Sequence, residues 1–479
     1  MTSPPATDRR LLALYVLCLG ALMIFLDTTV VTVALPSIQS NLGFSGTQLT
    51  WVLNAYMVTF GGFLLLGGRL GDLYGKRRLF LAGIAVFTLA SLACGLAQTQ
   101  LELVIARAGQ GLGGAVVAAL SLSLIMSLYV EPDERAMAMG VFGFVSAAGG
   151  SLGELLGGFL TQTLGWHSIF LINLPIGVAV YALCLALLPR DGATETARSH
   201  DVLGALTITA ALMLAVYAVV DASEIGWAAT RTSSLLGIAA ALLAAFFVIE
   251  AKVAEPLVPL RLFRLRNLAG ANAAGVLWAA GLFAWFITSA LYLQRVLRYD
   301  PLEVGLAFIP ADVMTAAFSA GLSAKMVVRF GVRGPLTTGL LVSAVGLALF
   351  ARAPVAGTFT WDVLAPMLLL GLGAGMAFNP LLLAAMNDVG EQESGLASGV
   401  VNTSFTMGGA LGLAALTSLA DVRGDALRRA GGGPLAALNG GYHVAFGLGA
   451  LLSALAALLC VLVLRTRAAA AEPASTGVN

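Results

Sequence analysis

The sequence predicts an all-α polytopic membrane protein, and three observations carry that prediction. Of its 479 residues, 59% are hydrophobic and only 11% charged, with a mean hydropathy of +0.92; a soluble domain carries about 25% charged residues. Fourteen apolar runs approach the roughly 20 residues that a helix needs to cross a bilayer. The charges fall in the short gaps between those runs and are sorted by side. Run length excludes a closed β-barrel, whose strands need only about 10 alternating residues. The net charge of +1, with neither a basic patch nor an acidic tail, excludes a nucleic-acid partner. No obligate protein partner is evident, and the surroundings implied are a lipid bilayer.

In chain order, the first six spans are Leu11–Leu35, Gln48–Gly67, Leu79–Ala97, Leu103–Leu128, Ala136–Leu160 and Ile169–Leu188. A central pair follows at Val202–Val220 and Ser234–Ile249. The last six are Asn267–Leu293, Leu302–Met326, Pro335–Phe350, Val363–Met386, Gly395–Leu419 and His443–Leu464. Arg9 and Arg10 before the first run resemble a signal peptide, but the run is long and others follow, so it reads as a first helix. An even number of spans puts both termini on one face. With that face cytoplasmic, eighteen of the 26 Lys and Arg lie on it, seven lie opposite, and Arg107 lies within a span. That bias is the positive-inside pattern.

The gaps divide the chain. Polar Pro189–Asp201 and charged Glu250–Arg266, with Pro256 and Pro259, set the central pair apart from six spans before and six after. The expected units are an N-terminal six-helix bundle (1–190), a linker with two extra helices (191–266), and a C-terminal six-helix bundle with its tail (267–479). The segment Asp421–Tyr442, with its Gly431–Gly433 run, is expected to be a flexible outer loop. GRLGDLYGKRR at Gly68–Arg78 is a short cationic turn between two spans, and KMVVRFGVR at Lys325–Arg333 repeats it weakly, with Gly331 standing where Gly75 does. Related halves of this kind occur in transporters built from two bundles.

Four charged residues stand in the wrong solvent. Asp27 lies inside the first span, Arg107 in the fourth, Glu154 in the fifth and Asp312 in the tenth. A charge at the bilayer centre costs about 2.5–3.5 kcal/mol on insertion scales and normally faces a cavity or a partner. One reading is a proton and substrate pathway through a central cavity, in which carboxylates load and unload protons while Arg107, which stays protonated, answers their charge. The other is a set of static pairs tying spans together. Around Glu154, Gly149, Gly153, Gly157 and Gly158 have the small-xxx-small spacing of close helix packing, which does not account for the carboxylate.

Weaker candidates for the lining of a substrate cavity are the amides Asn54, Gln110, Asn173, Asn379 and Asn402, with Asn272 as a further polar contact between helices. Trp278 and Trp285 are seven apart and share a helix face, so a lining role is open to them, whereas Trp51 and Tyr292 near span ends read as interfacial belt. Cys18, Cys94, Cys184 and Cys460 sit within apolar runs and read as buried hydrophobes. His167, His200 and His443 lack metal-ligand spacing, so no metal is expected. No phosphate-cradling GxxxxGK[ST] is present, and ATP is not the expected energy source.

The cationic turn carries a family resemblance. GRLGDLYGKRR is similar to the signature between helices two and three of the major facilitator superfamily. LDTTVVTVALP at Leu26–Pro36, the RxxQG pattern of Arg107, Gln110 and Gly111, GWHSIFLINLPIG at Gly165–Gly177, YLQRVLRYDPLEVGLAFIP at Tyr292–Pro310 and ESGLASGVVNTSFTMGGALG at Glu393–Gly412 narrow it to the fourteen-helix drug:proton antiporters. The resemblance implies the major facilitator fold, two six-helix bundles plus two additional central helices that pack outside the cavity. It also implies multidrug efflux of a small amphipathic molecule, driven by protons and without a cofactor, across a bacterial cytoplasmic membrane with both termini cytoplasmic. It assigns proton coupling to Asp27 and conformational gating to Gly68, Asp72, Gly75 and Arg77 together with Arg107. The chain departs from the family in its fifth helix, where Gly153 and Glu154 stand in place of a usual Gly-Pro pair. A nutrient or siderophore importer of the same fold, and a membrane receptor or scaffold, are the rival readings.

Overall fold

The computed structural model describes residues 7–45, 48–129, 131–189, 201–253, 256, 260–386, 389 and 394–464. Among them there is no strand. The chain opens with α1 (Thr7–Leu42), α2 (Trp51–Tyr74), α3 (Lys76–Leu96), α4 (Gln100–Leu128), α5 (Pro132–Leu164) and the short α6 (Ser168–Leu171), which leads into α7 (Asn173–Leu187). The central pair is α8 (Val202–Ile225) and α9 (Thr230–Lys252). Then come α10 (Arg266–Leu291), α11 (Pro301–Ala317), α12 (Ser323–Phe330), α13 (Arg333–Phe350), α14 (Ala365–Met386), α15 (Ser394–Arg429) and α16 (Pro434–Val463). A π-helical turn at Phe318–Leu322 joins α11 to α12 as one rod. Each predicted span falls on a helix. Among the described residues, eleven helices are long and apolar enough to cross a membrane; the other three predicted spans fall on α2, α5 and the α11–α12 rod.

Local chemistry sets the helix boundaries. At the start of α4, Thr99 Oγ1 accepts from the Glu102 amide at 3.2 Å while Glu102 Oε2 accepts from the Thr99 amide at 3.2 Å, a reciprocal capping box. Asp300 and Glu303 repeat it before α11, with Pro301 at the first helical position, where a missing N–H costs nothing. The Gly68–Arg78 turn is tighter than the sequence suggests. Helix α2 runs to Tyr74 and α3 begins at Lys76, leaving Gly75 alone at φ +97°, a backbone angle that a Cβ would strain. Gly331, between α12 and α13, also has positive φ, +72°, so the weak sequence repeat is a backbone repeat.

Two expectations are overturned. Asp421–Tyr442 is mostly helix rather than loop: α15 continues to Arg429, helped by the Asp425–Arg428 ion pair at 2.6 Å, and only Ala430–Gly433 separates it from α16. Tyr292 is not an interfacial belt residue. It is fully buried, and its hydroxyl donates to Pro354 O at 2.8 Å from the start of the π-turn that follows α10.

Helices α1 to α7 pack on one another, as do α10 to α16, and the two groups meet along two seams. On one side α5 lies against α11; on the other α2 lies against α15. Helix α8 packs on both α2 and α15, with α9 behind it. Leu66 of α2, Ala205 of α8, Phe246 of α9 and Val400 of α15 form one buried cluster there. The glycines near Glu154 serve both bundles. A Cβ on Gly153 would lie 2.9 Å from Leu26 O, one on Gly157 2.9 Å from Val30 Cα, and one on Gly149 2.9 Å from Phe25 Cβ, all on α1. A Cβ on Gly158 would instead lie 2.9 Å from Leu302 Cα of α11, in the opposite bundle.

Candidate functional site: a buried charge network and a carboxyl pair

Helices α1 and α4 cross so that Asp27 and Arg107 face each other, both completely buried. Arg107 Nη1 lies 2.5 Å from Asp27 Oδ2. The other carboxylate oxygen, Oδ1, accepts from Gln110 Nε2 and from Asn173 Nδ2, each at 2.9 Å. Gln110 also donates to Ser91 Oγ at 2.7 Å, and its Oε1 accepts from Arg107 Nη1 at 2.8 Å and from the Cys94 thiol at 3.1 Å. Arg107 Nε donates to Val52 O at 2.8 Å, and its guanidinium lies 4.5 Å from the centre of the Tyr56 ring. Five helices thus supply one polar knot. Removing one partner of a buried ion pair typically costs about 3–5 kcal/mol, because the other charge is left uncompensated.

The chemical capacity of the knot lies in its asymmetry. Guanidinium keeps its proton, whereas a carboxylate can accept one. Protonating Asp27 would leave Arg107 charged and without its counter-ion. Arg107 Nη2 already has no hydrogen-bond partner, so the cation has a spare donor for an incoming acceptor.

The second polar feature joins the bundles. Glu154 of α5 is buried, 1% exposed, on a helix that packs against α11, which carries Asp312; its Oε2 has no hydrogen-bond partner. Gly305 of α11 lets the two helices cross closely there, since a Cβ on it would lie 2.6 Å from Glu154 O.

The remaining candidates separate. Gln110 and Asn173 belong to the Asp27 knot. Asn54 donates to Thr50 Oγ1 at 3.4 Å, one turn back on its own chain, and Asn272 donates likewise to Leu268 O. Asn379 donates to Ser319 O of the π-turn at 3.3 Å, and Asn402 is half-buried on α15. Trp278 packs on Phe405 and Phe378, with ring centres 5.6 and 6.5 Å away; Trp285 packs on Phe286 and Phe308. Among the turn residues, Arg77 Nη2 donates to Leu185 O of α7 at 2.8 Å, and a Cβ on Gly68 would stand 3.9 Å from Ala119 Cβ. The Asp72 side chain lies outside the described residues. Ser91, Cys94 and Tyr56 were missed as partners of the knot. A signal existed for two of them: Ser91 and Cys94 are three apart on α3 and share a face.

Charges sealed inside a helical bundle of a multi-pass membrane protein are the layout of a transporter. A model of the Major Facilitator Superfamily matches residues 17–413, and the chain belongs to that superfamily. It is 38% identical over 472 residues to the puromycin resistance protein pur8 of Streptomyces alboniger, covering 97% of this chain and 93% of the relative. It is 36% identical to the cephamycin export protein CmcT of Amycolatopsis lactamdurans, covering 86% of this chain and 85% of the relative. It is 38% identical to the lincomycin resistance protein of Streptomyces lincolnensis, over 86% of this chain and 84% of the relative. In fold it is similar to a bacterial homolog of the human lysosomal transporter Spinster, at TM-score 0.69 and 16% identity, covering 95% of this chain and 97% of that one.

Proposed function

We propose that the chain is a proton-driven exporter of small amphipathic, antibiotic-like molecules in a bacterial cytoplasmic membrane, with both termini in the cytoplasm. Support for export of such molecules comes from relatives named for resistance to, or export of, puromycin, cephamycin and lincomycin. The Lys and Arg bias supports that orientation of the termini. The observation that carries proton coupling is the Asp27–Arg107 pair, sealed at zero exposure inside one bundle. A proton reaching Asp27 dissolves the ion pair and frees Arg107 Nη1 and Nη2 to rearrange. That changes the relative stability of the two bundle arrangements, which rock about a midplane site. A gradient then drives the cycle, with about 2.3 kcal/mol per charge per 100 mV from the membrane potential. Within this reading Gly75 and Arg77 fix the α2–α3–α7 corner that moves with the knot, and the aromatic groups around Trp278 and Trp285 offer apolar surface to the substrate.

The test is Asp27→Asn in proteoliposomes with an imposed pH gradient. Asparagine preserves the shape and an acceptor oxygen but cannot take up a proton. Gradient-driven efflux of puromycin should fall by at least about tenfold, while downhill exchange of the same compound persists. Full gradient-driven pumping by the variant would refute the assignment.

A further inference from the structure

The α11–α12 rod is longer than the hydrocarbon it crosses. From Pro301 to Phe330 its three segments run 17, 5 and 8 residues, about 45 Å in all at 1.5 Å per residue. The hydrocarbon core is about 30 Å thick, and the bilayer with its headgroups about 40–45 Å. The final turns, those of α12, therefore lie among the headgroups, which under the proposed topology are those of the cytoplasmic leaflet. One face of α12 is used up in packing. Ser323 is fully buried and Met326 and Val327 are half-buried, on a helix that packs against α13 and α14.

The other face carries Lys325, Val328 and Arg329, all exposed, at the three- and four-residue spacing that puts them on one side of a helix. Val328 is 85% exposed, more than any other large apolar side chain among the described residues. Phe330 is 59% exposed, and the Arg329 guanidinium lies 5.3 Å from the centre of its ring. No acid stands on α12. Among the described residues, no ion pair or hydrogen bond holds the side chain of Lys325 or Arg329. Like charges one turn apart repel, and nothing on this face answers them. The matching turn of the first bundle differs here. Counted back from the glycine of positive φ, Arg69 stands where Lys325 does, but Asp72 stands where Val328 does. The second copy of the turn has an apolar side chain in the acid's place.

We propose that this face of α12 is a binding site for an acidic phospholipid, with Lys325 and Arg329 on the headgroup phosphate and Val328, Phe330 and Leu322 along the chains. Both cations are donors that a phosphate oxygen accepts, and such charge-assisted bonds are the strong ones. An anionic leaflet draws basic segments to its surface. Helical side chains lean toward the helix N-terminus, here back toward the hydrocarbon, which brings Val328 and Phe330 to the chains. Leu322, one turn further in and 44% exposed, continues the apolar stripe, while the Lys325 stem can lie along it with its ammonium at the headgroups. A phosphatidylcholine headgroup brings its own ammonium and gains less from the two cations. A soluble phosphate ester meets the cations but leaves the apolar side chains uncovered.

The site can be read on the purified full chain without any transport substrate, so its failure and that of the exporter reading are separate. Delipidated in detergent and titrated with lipid, the protein should retain phosphatidylglycerol in native mass spectra at least about tenfold more tightly than phosphatidylcholine with the same chains. Lys325→Gln with Arg329→Gln should abolish that preference, whereas Lys325→Arg should keep it. Arg329→Gln alone should lower it severalfold and serves if the double variant fails to insert. Arg423→Gln with Arg429→Gln removes two exposed charges at the far end of α15 and should leave the preference intact. Val328→Ser with Phe330→Ser should weaken phosphatidylglycerol retention severalfold with both cations in place, and glycerol phosphate alone should not compete. Equal retention of the two lipids, or a preference that survives the loss of Lys325 and Arg329, would overturn the site. So would an equal loss in the α15 variant, unchanged retention without Val328 and Phe330, or competition by glycerol phosphate at the lipid's own concentration.

Discussion

At Asp27 three donors from two other helices, Arg107, Gln110 and Asn173, converge on one carboxylate, and Gln110 is the residue that binds the knot together. Its amide donates to Asp27 and Ser91 while its carbonyl accepts from Arg107 and Cys94. Gln110→Leu keeps the volume and removes all four bonds. With hydrogen bonds to charged groups worth about 1.5–3 kcal/mol each, and some recovery by relaxation, we expect a loss of about 2–4 kcal/mol. It would appear as a lowered melting temperature of the detergent-solubilised protein, and an unchanged melting temperature would show the knot to be slack. The four charged positions could be read from sequence because a charge in an apolar run is conspicuous. Gln110 and Asn173 could be nominated but not placed. Ser91, Cys94 and Tyr56 are ordinary residues of membrane helices, and their roles depend on how α2 and α3 are rotated toward α4, which a single sequence does not encode in its periodicity. That Glu154 and Asp312, 158 residues apart in the chain, lie on helices that pack together likewise depends on how the bundles dock.

At the scale of the element, helices were legible and their ends were not. Apolar runs locate the buried middle of a helix, whereas α1 and α15 continue well past their apolar stretches on polar residues that the bilayer does not require. Close crossings were visible only as an excess of glycine. The structure distinguishes those that matter. On Gly113 of α4, a Cβ would stand 2.6 Å from the Phe87 amide nitrogen and 2.9 Å from Gly83 O, both backbone atoms of α3. Gly150 of α5 has nothing within 4 Å of such an atom. Gly113→Ala must therefore push α3 and α4 apart, at about 1–3 kcal/mol. Gly150→Ala should be neutral or stabilising by up to about 1 kcal/mol, since alanine is the better helix former. Paired melting curves of the two variants test this, and equal effects would contradict the crossing geometry.

Across the whole molecule, the repeated glycine turn was legible in the sequence, and Gly75 and Gly331 share a positive φ. The place of the central pair was not legible. Helix α8 does more than pad the outside: it touches both α2 and α15 and so spans the seam opposite the α5–α11 contact. Any rocking of the bundles must slide or tilt α8 as well, and its Thr209 is set against Gly62 of α2.

The four cysteines are all buried, and one of them touches the charge network. Aqueous thiol reagents should pass over the resting protein, but Cys94, bonded to Gln110, comes within reach once water enters the space around Asp27. The unmodified chain thus carries its own tell-tale. Mass spectrometry after a methanethiosulfonate pulse should find Cys94 labelled during turnover and spared at rest, with Cys460 silent throughout. If Cys94 labels at rest as quickly as a surface thiol, the network is already wet and needs no bundle movement to exchange its proton.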